Sequence, residues 1–238
     1  MNITKLITEK SKDLYGAKIP TIAFLGDSVT QGCFELYMKN ENELETYFDK
    51  ESAYHRYFAK IISLLYPNVP INIINAGISG GRAYNGLERL ERDVLAFHPD
   101  LTVVCFGLND SKESIDDFYR SLKEIFARLK KSGSEVIFMT PNMMNTKISP
   151  HLKEKTFIDV ATETMQRQNN GKFDEFINIA KRTANEENVV ICDVYAKWKR
   201  LLENGVDTTE LLANKINHPS KKMNWLFAYS LIETIMQN

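Results

Sequence analysis

Residues 22–33 read IAFLGDSVTQGC. An apolar run ends at Gly26, and an acid and a hydroxyl, Asp27 and Ser28, follow at once. Apolar residues on consecutive positions are typical of a strand that is covered on both faces. A serine after Gly-Asp is ordinary turn chemistry, but a hydroxyl presented at the end of a buried strand is also a candidate nucleophile. The rest of the chain has to decide between the two.

Four more runs of this kind follow the first run, which spans 21–26. They are INIINAG (71–77), LTVVCFG (101–107), EVIFMTP (135–141) and VVICDVY (189–195). Helical patterns lie between and after them, at 54–66, 84–97, 114–133, 173–187 and 223–237. The alternation predicts an α/β fold with five parallel strands, ordered 2-1-3-4-5, and helices on both faces of the sheet.

The chain shows no linker rich in Pro, Gly or Ser, so we expect one domain over residues 1–238. Two segments are longer than ordinary loops, at about 33–53 and 142–170. They follow the first and fourth predicted strands. Insertions after strand ends are where open α/β sheets build their binding sites.

The composition excludes several classes of function. The net charge is -1, so there is no basic field to hold a polyanion, and we expect no nucleic-acid partner. No segment approaches eighteen uninterrupted apolar residues, so we expect no membrane span.

The cysteines bear on the compartment. An odd number of them, Cys33, Cys105 and Cys192, does not indicate a disulfide framework. Together with an N-terminus that lacks an apolar signal region, they favour a cytoplasmic location. Secretion stays open, because a removed signal peptide would leave the same sequence.

Other polar groups follow the later strands. Gly77 lies in NAGISG (75–80), Asn109 in GLND (107–110), and His218 in INHP (216–219) ahead of the last helix. The carboxyl ends of parallel strands share one edge of the sheet. We therefore expect Ser28, Gly77, Asn109 and His218 to meet there.

These residue types fit acyl transfer. A serine hydroxyl needs a neighbouring base to become nucleophilic, and His218 is the natural candidate because its ordinary pKa is near neutrality. The tetrahedral intermediate then needs hydrogen-bond donors that are fixed in advance. The expected oxyanion hole comprises the Ser28 N–H, the Gly77 N–H and the Asn109 amide.

The four segments, taken in order, resemble the motifs of the SGNH hydrolases, the GDSL family of esterases and lipases. Gly26-Asp27-Ser28 resembles the nucleophile block, and Gly77, Asn109 and His218 match the glycine, asparagine and histidine blocks. The resemblance extends from about residue 20 to about residue 230. It implies a flavodoxin-like three-layer α/β/α sandwich, a serine nucleophile, no metal or other cofactor, and hydrolysis of an ester.

The chain departs from the family at one position. The family's usual acid, three residues before the histidine, is replaced by Lys215, which cannot accept the imidazole N–H. An acid from elsewhere, with Asp207 and Glu210 nearest, is one alternative. A backbone carbonyl, Asn214 or a water is another, and a slow dyad or an inactive site is the third. We expect a working Ser28–His218 pair with an unconventional third partner.

The remaining polar residues have plainer interpretations. We expect Asp27 to hold the turn through bonds from its side chain to the backbone, and Asp110 to be structural. The surroundings of His55, His98 and His151 offer no partner. Neither GDSVTQG nor GISGGR has the spacing of a nucleotide-binding loop. Cys33 lacks a partner that would make it a nucleophile.

The expected substrate is a small acyl ester, acetyl above all, because the insertions contain no long apolar stretch for a lipid chain. Their aromatic residues lie among many polar groups, which suits a carbohydrate ester. The alternative function is a catalytically lapsed module of the same fold that binds an acylated glycan or a small ligand, with Lys215 marking the lapse.

Overall fold

The computed structural model describes residues 1–40 and 43–238. A five-stranded parallel sheet forms its centre. The sheet's strands are β1 (Thr21–Gly26), β4 (Asn72–Gly77), β5 (Leu101–Cys105), β6 (Glu135–Met139) and β7 (Val190–Cys192). Their spatial order is β4-β1-β5-β6-β7, with all four pairings parallel. The predicted order 2-1-3-4-5 is therefore confirmed.

Helices cover both faces of this sheet, as expected. They are α1 (Asn2–Lys12), α2 (Ser28–Gln31), α3 (Tyr54–Leu65), α4 (Ala83–Glu88), α5 (Leu90–Asp93), α6 (Ile115–Lys131), α7 (Lys155–Asn169), α8 (Lys172–Glu186), α9 (Val194–Glu203) and α10 (Asn224–Gln237). No helix in the described ranges has the length and apolar character needed to cross a bilayer.

The core divides into two layers because neighbouring side chains on a strand point to opposite faces. On β1, Ile22 and Phe24 pack with α1, α3 and α10, whereas Ala23 and Leu25 pack with α4, α5 and α6. All six residues of β1 are buried. Consecutive apolar positions were therefore a correct signal for a central strand, and the α/β/α sandwich follows from them.

The predicted helix at 84–97 is broken into α4, α5 and a short 3-10 turn at 95–97. We infer that the helix breaks at Arg89, between α4 and α5, because this side chain bonds to the sheet. Its buried guanidinium donates to the carbonyl of Ala76 at 2.6 Å and to the carbonyl of Gly26 at 2.9 Å. These two carbonyls lie at the carboxyl ends of β4 and β1, so Arg89 ties the two strand ends together below the site.

The two expected insertions contain regular structure. Residues 33–53 form an antiparallel hairpin of β2 (Cys33–Asn40) and β3 (Glu43–Phe48), followed by a short 3-10 turn at 50–52. The part of this expectation that falls on residues 41–42 lies outside the described residues. The second insertion runs without regular structure to Glu154 and then forms α7. A small cluster of Phe157, Ala161 and Ile216 packs between α7 and the hairpin.

Candidate active site

The turn after β1 presents Ser28 at the carboxyl edge of the sheet. Asp27 precedes α2 as its N-cap residue, and its carboxylate accepts the Val29 N–H at 3.0 Å. Its role in holding the turn is thus the expected one. Burial, the larger effect, and the nearby charge of Asp110 raise the pKa of Asp27 to about 7. The first residue of α2 is Ser28 itself, which is almost fully buried.

The loop before α10 brings His218 to this serine across 190 positions of sequence. The distance between His218 Nε2 and Ser28 Oγ is 2.9 Å. Burial lowers the pKa of His218 to about 4, so the ring is neutral at pH 7 and can accept the hydroxyl proton. The structure therefore brings together the expected nucleophile and the expected base.

The other ring nitrogen meets a backbone carbonyl. His218 Nδ1 lies 3.0 Å from the oxygen of Phe34, near the start of β2. A carbonyl can only accept a hydrogen bond, so Nδ1 carries the proton and Nε2 is left as the acceptor. This is the tautomer that a general base facing Ser28 requires.

The acids nearest in sequence have other partners. Asp207 pairs with Lys147. Glu210 accepts from Ser149 at 2.8 Å and pairs with Lys215 at 2.9 Å. Of the alternatives left open by the sequence, the geometry favours the backbone carbonyl.

Asn214 holds the loop of His218 and not its ring. The Asn214 side-chain oxygen accepts the N–H groups of Ile216, Asn217 and His218 at 3.0, 2.9 and 2.9 Å. Lys215 follows with a left-handed backbone, φ 57°, and its ammonium donates to the Glu210 carbonyl at 2.9 Å. Neither side chain takes the place of the missing acid, but Asn214 fixes the backbone that carries His218.

The prediction for Gly77 needs a correction. Its N–H donates to the side-chain oxygen of Asn75 at 3.0 Å, so this donor is not free for an oxyanion. A Cβ at this position would lie 2.2 Å from the Gln31 nitrogen. Gly77 is therefore needed because β4 approaches α2 closely, and not as a donor.

A neighbouring glycine has the free donor instead. The N–H of Gly80, whose φ is +74°, meets no acceptor in the described part of the chain. Ser79 N–H bonds to the Gln31 side chain at 2.6 Å, and the Gly81 carbonyl accepts from Asn109 at 3.0 Å. Gly80 thus lies between the nucleophile helix and Asn109. The motif NAGISG contains two glycines, and sequence reasoning chose Gly77, whose N–H is occupied in this structure.

The two other expected donors keep N–H groups to offer. Asn109 uses one amide hydrogen on Gly81 and has a second. The Ser28 N–H, at the first turn of α2, has no acceptor among the residues that the structure describes. Asp110 accepts the N–H groups of Ala83 and Gly107 at 2.8 and 3.0 Å, so it is structural, as expected.

The remaining candidates lie away from this chemistry. His151 has a partner after all, since its Nε2 lies 3.8 Å from Glu210. His55 is buried against the rings of Phe24 and Tyr54. Burial raises the pKa of the Cys33 thiol to about 12, which leaves it unreactive near neutral pH.

Comparisons with known proteins identify the family and the fold of this chain. The GDSL-like Lipase/Acylhydrolase family model matches residues 24–226. An acetylxylan esterase from Geobacillus stearothermophilus is 25% identical over 194 residues, which cover 76% of this chain and 79% of the relative.

Solved structures share the fold. The crystal structure of an acetylxylan esterase from G. stearothermophilus superposes with a TM-score of 0.67 at 23% identity, over 91% of this chain and 94% of the other. An acetyl xylan esterase named AlAXEase gives 0.66 at 22% identity, over 90% and 99%. With the family match over most of its length, the chain belongs to the GDSL-like lipase/acylhydrolase family and is a carboxylic ester hydrolase.

Proposed function

We propose that this enzyme removes small acyl groups, acetyl above all, from carbohydrate esters through an acyl-enzyme on Ser28. One observation carries the mechanism: Ser28 Oγ, the His218 ring and the Phe34 carbonyl form a continuous hydrogen-bonded chain of 2.9 and 3.0 Å. Nucleophile, base and orienting group are the three parts that serine catalysis needs.

In the proposed reaction Ser28 Oγ attacks the ester carbonyl and its proton passes to His218 Nε2. The developing oxyanion is held by the Ser28 N–H, the free amide hydrogen of Asn109 and the Gly80 N–H, which replaces the expected Gly77. The imidazolium returns its proton to the leaving alkoxide. Water then attacks the acyl-enzyme by the same route, and Ser28 is released.

A neutral carbonyl is a weaker third partner than a carboxylate. It fixes the tautomer and the ring plane, but it stabilises the imidazolium only through a dipole. In the best-studied serine protease, replacing the triad acid by an amide costs about 10,000-fold because it leaves the wrong tautomer. Here the tautomer is correct, so we expect a working enzyme that is slower than one with a full triad.

Three observations support an acetylated carbohydrate as substrate. A relative that is 25% identical over 194 residues is an acetylxylan esterase. The side chains of Tyr37, Tyr47 and Phe48 on the hairpin are 45–49% exposed, and aromatic rings offer surfaces on which sugars pack. The net charge of -1 provides no strong field that would favour a charged substrate.

The test is acetate release from p-nitrophenyl acetate by the wild type, Ser28→Ala and His218→Ala. We expect each substitution to lower kcat at least about 10,000-fold. Ser63→Ala and His98→Ala are matched controls, because both residues lie outside the site, and they should keep the wild-type rate. Acetylated xylooligosaccharides and p-nitrophenyl octanoate then test the leaving group and the acyl chain.

Two results would contradict the proposal. Equal, feeble rates in the wild type and both site variants would mean that the cleft binds an acylated ligand without cleaving it. Faster cleavage of the octanoate than of the acetate would reject the small acyl group.

A further inference from the structure

A cavity of about 430 Å³ opens beside the Asn109 segment, between α4 and the start of α6. The residues that line it include Arg82, Tyr84, Asp110, Glu113, Asp117 and Arg120. Its volume falls within the range of about 300–1,000 Å³ that is typical of small-molecule sites. None of these side chains takes part in the mechanism proposed above.

The cavity adjoins the segments that carry the proposed oxyanion donors, since Arg82 and Asp110 line it. Asn109 donates to Gly81 at 3.0 Å, and Asp110, the next residue, accepts the N–H of Ala83, two residues after Gly81, at 2.8 Å. Arg82 is thus two residues from Gly80 along the chain, or about 7 Å at most by Cα spacing. A molecule in the cavity therefore lies next to the segments that carry Gly80 and Asn109, without contacting these donors themselves.

Four of the lining charges form two ion pairs, and the fifth, Asp110, already accepts two backbone N–H groups. Arg82 lies 2.9 Å from Glu113, and Arg120 pairs with Asp117. Neither pair leaves a net charge to attract an ion. Arg82 and Glu113 are also 43% and 46% exposed, so guanidinium donors and carboxylate acceptors remain available together.

The cavity also contains an aromatic ring. Tyr84 is 55% exposed, and its hydroxyl is held by Glu88 at 2.7 Å, which fixes the ring from its outer end. An exposed ring beside paired donors and acceptors matches a neutral ligand with many hydroxyl groups and an apolar ring face. A pyranose has both features.

We infer that this cavity is a glycan subsite, which binds a neutral sugar residue next to the one that carries the ester. Tyr84 packs against the sugar ring, and Arg82 with Glu113 bonds its hydroxyl groups. The inference rests on the proposed carbohydrate substrate and adds where the rest of the glycan binds.

The experiment compares kcat/KM for acetylated xylooligosaccharides with kcat/KM for p-nitrophenyl acetate, which has no sugar. In Tyr84→Ala we expect the ratio of oligosaccharide to p-nitrophenyl acetate to fall at least fivefold, through KM. Tyr84→Phe keeps the ring and should retain most of the ratio. The matched control is Tyr229→Ala, an exposed tyrosine on α10 outside the cavity, which should leave the ratio unchanged.

An unchanged ratio in Tyr84→Ala would overturn the inference, as would an equal loss on both substrates, which would indicate a structural role. If the wild type cleaves only p-nitrophenyl acetate, the carbohydrate assignment fails by itself. Titration calorimetry with unacetylated xylotetraose then decides about the cavity. Binding that Tyr84→Ala weakens supports the subsite, and no binding to the wild type rejects it.

Discussion

The two nitrogens of the His218 ring face regions that are built in opposite ways. Nε2 faces Ser28, in a turn where strand, cap and nucleophile are consecutive residues. Nδ1 faces Phe34, on a hairpin that contacts α7 and the segment around His218. The nucleophile side is specified by local chemistry, whereas the hairpin side depends on how two distant segments dock.

The docking contacts on the hairpin side centre on Lys221. Its ammonium lies 2.7 Å from Asp49 at the end of the hairpin, and 5.6 and 5.1 Å from the ring centres of Phe34 and Tyr47. Because Lys221 is three residues from His218, it links the hairpin to the histidine loop. The comparison shows that the Ser28 side of the histidine is positioned by neighbouring residues in the chain. The Phe34 side is positioned by tertiary contacts between the hairpin and the loop of His218.

The largest effect should follow from releasing the histidine loop. In Asn214→Ala three backbone N–H groups lose their acceptor, so we expect the free energy of unfolding to fall by about 2–3 kcal/mol and kcat to fall about 100-fold. Asn214→Asp keeps the acceptor oxygen and should lose less. Chemical denaturation and p-nitrophenyl acetate kinetics measure both, with the exposed Asn185→Ala as control. Wild-type kcat in Asn214→Ala would show that the loop holds His218 without this side chain.

The dependence of kcat/KM on pH should show whether His218 has the lowered pKa of a buried histidine or the ordinary pKa of an exposed one. The base must be neutral, and burial lowers the pKa of His218 to about 4. We therefore expect kcat/KM to stay level as pH falls to about 5 and to be lost only as pH falls through the region of 4. An ordinary pKa of about 6.5 would already cost about tenfold at pH 5.5. Kinetics from pH 4 to 8, with folding followed by circular dichroism, would reveal a half-point near 6.5 if this expectation is wrong.

A smaller effect should follow from loosening the hairpin. Lys221→Met removes the ion pair with Asp49 and the charge over both rings, so the Phe34 carbonyl is held less firmly. We expect kcat to fall about three- to tenfold with little change in KM, and Lys221→Arg to restore most of it. Lys222→Met is the matched control on the next residue. A change in KM alone would mean that Lys221 serves substrate binding instead.

The smallest effect should come from restoring the family's acid. Residue 215 lies beside Glu210, and the Nδ1 proton already has an acceptor. Lys215→Asp should therefore change the rate on p-nitrophenyl acetate by less than about twofold, with a small loss of stability from the new repulsion with Glu210. A tenfold gain would show that the loop can refold to place a carboxylate on His218.

The same contrast explains what the sequence could predict. The buried strands were found because consecutive apolar residues are a local pattern. Their order followed from the alternation of strands and helices along the chain. Ser28, Asn109 and His218 were found at strand ends and ahead of the last helix, since topology brings those positions to one edge. From Phe34 to Met38, buried or half-buried residues alternate with exposed ones. This period of two is typical of a strand and could have revealed the hairpin.

The misses concern groups without a side-chain signature. The Phe34 carbonyl and the Gly80 N–H are backbone groups. Every residue type supplies the carbonyl, and every type except proline supplies the N–H. The break at Arg89 depends on two carbonyls from distant strands. Helices α1, α7 and α9 were overlooked, the first because a charged segment obscured the few apolar positions, Ile3 and Ile7, that face the core. Such contacts follow from the assembled tertiary structure and not from local pattern.

The carbonyl at Phe34 has a consequence for genetics. Every amino acid at position 34 supplies the same backbone oxygen. A substitution scan for activity would therefore find no essential acid in this enzyme. Any loss at position 34 would report the packing of the buried Phe34 side chain and not its carbonyl. The position of this oxygen depends instead on the length of the hairpin and on how the hairpin docks. We therefore expect insertions or deletions between residues 33 and 48 to displace this carbonyl more than point substitutions at the docking contacts do.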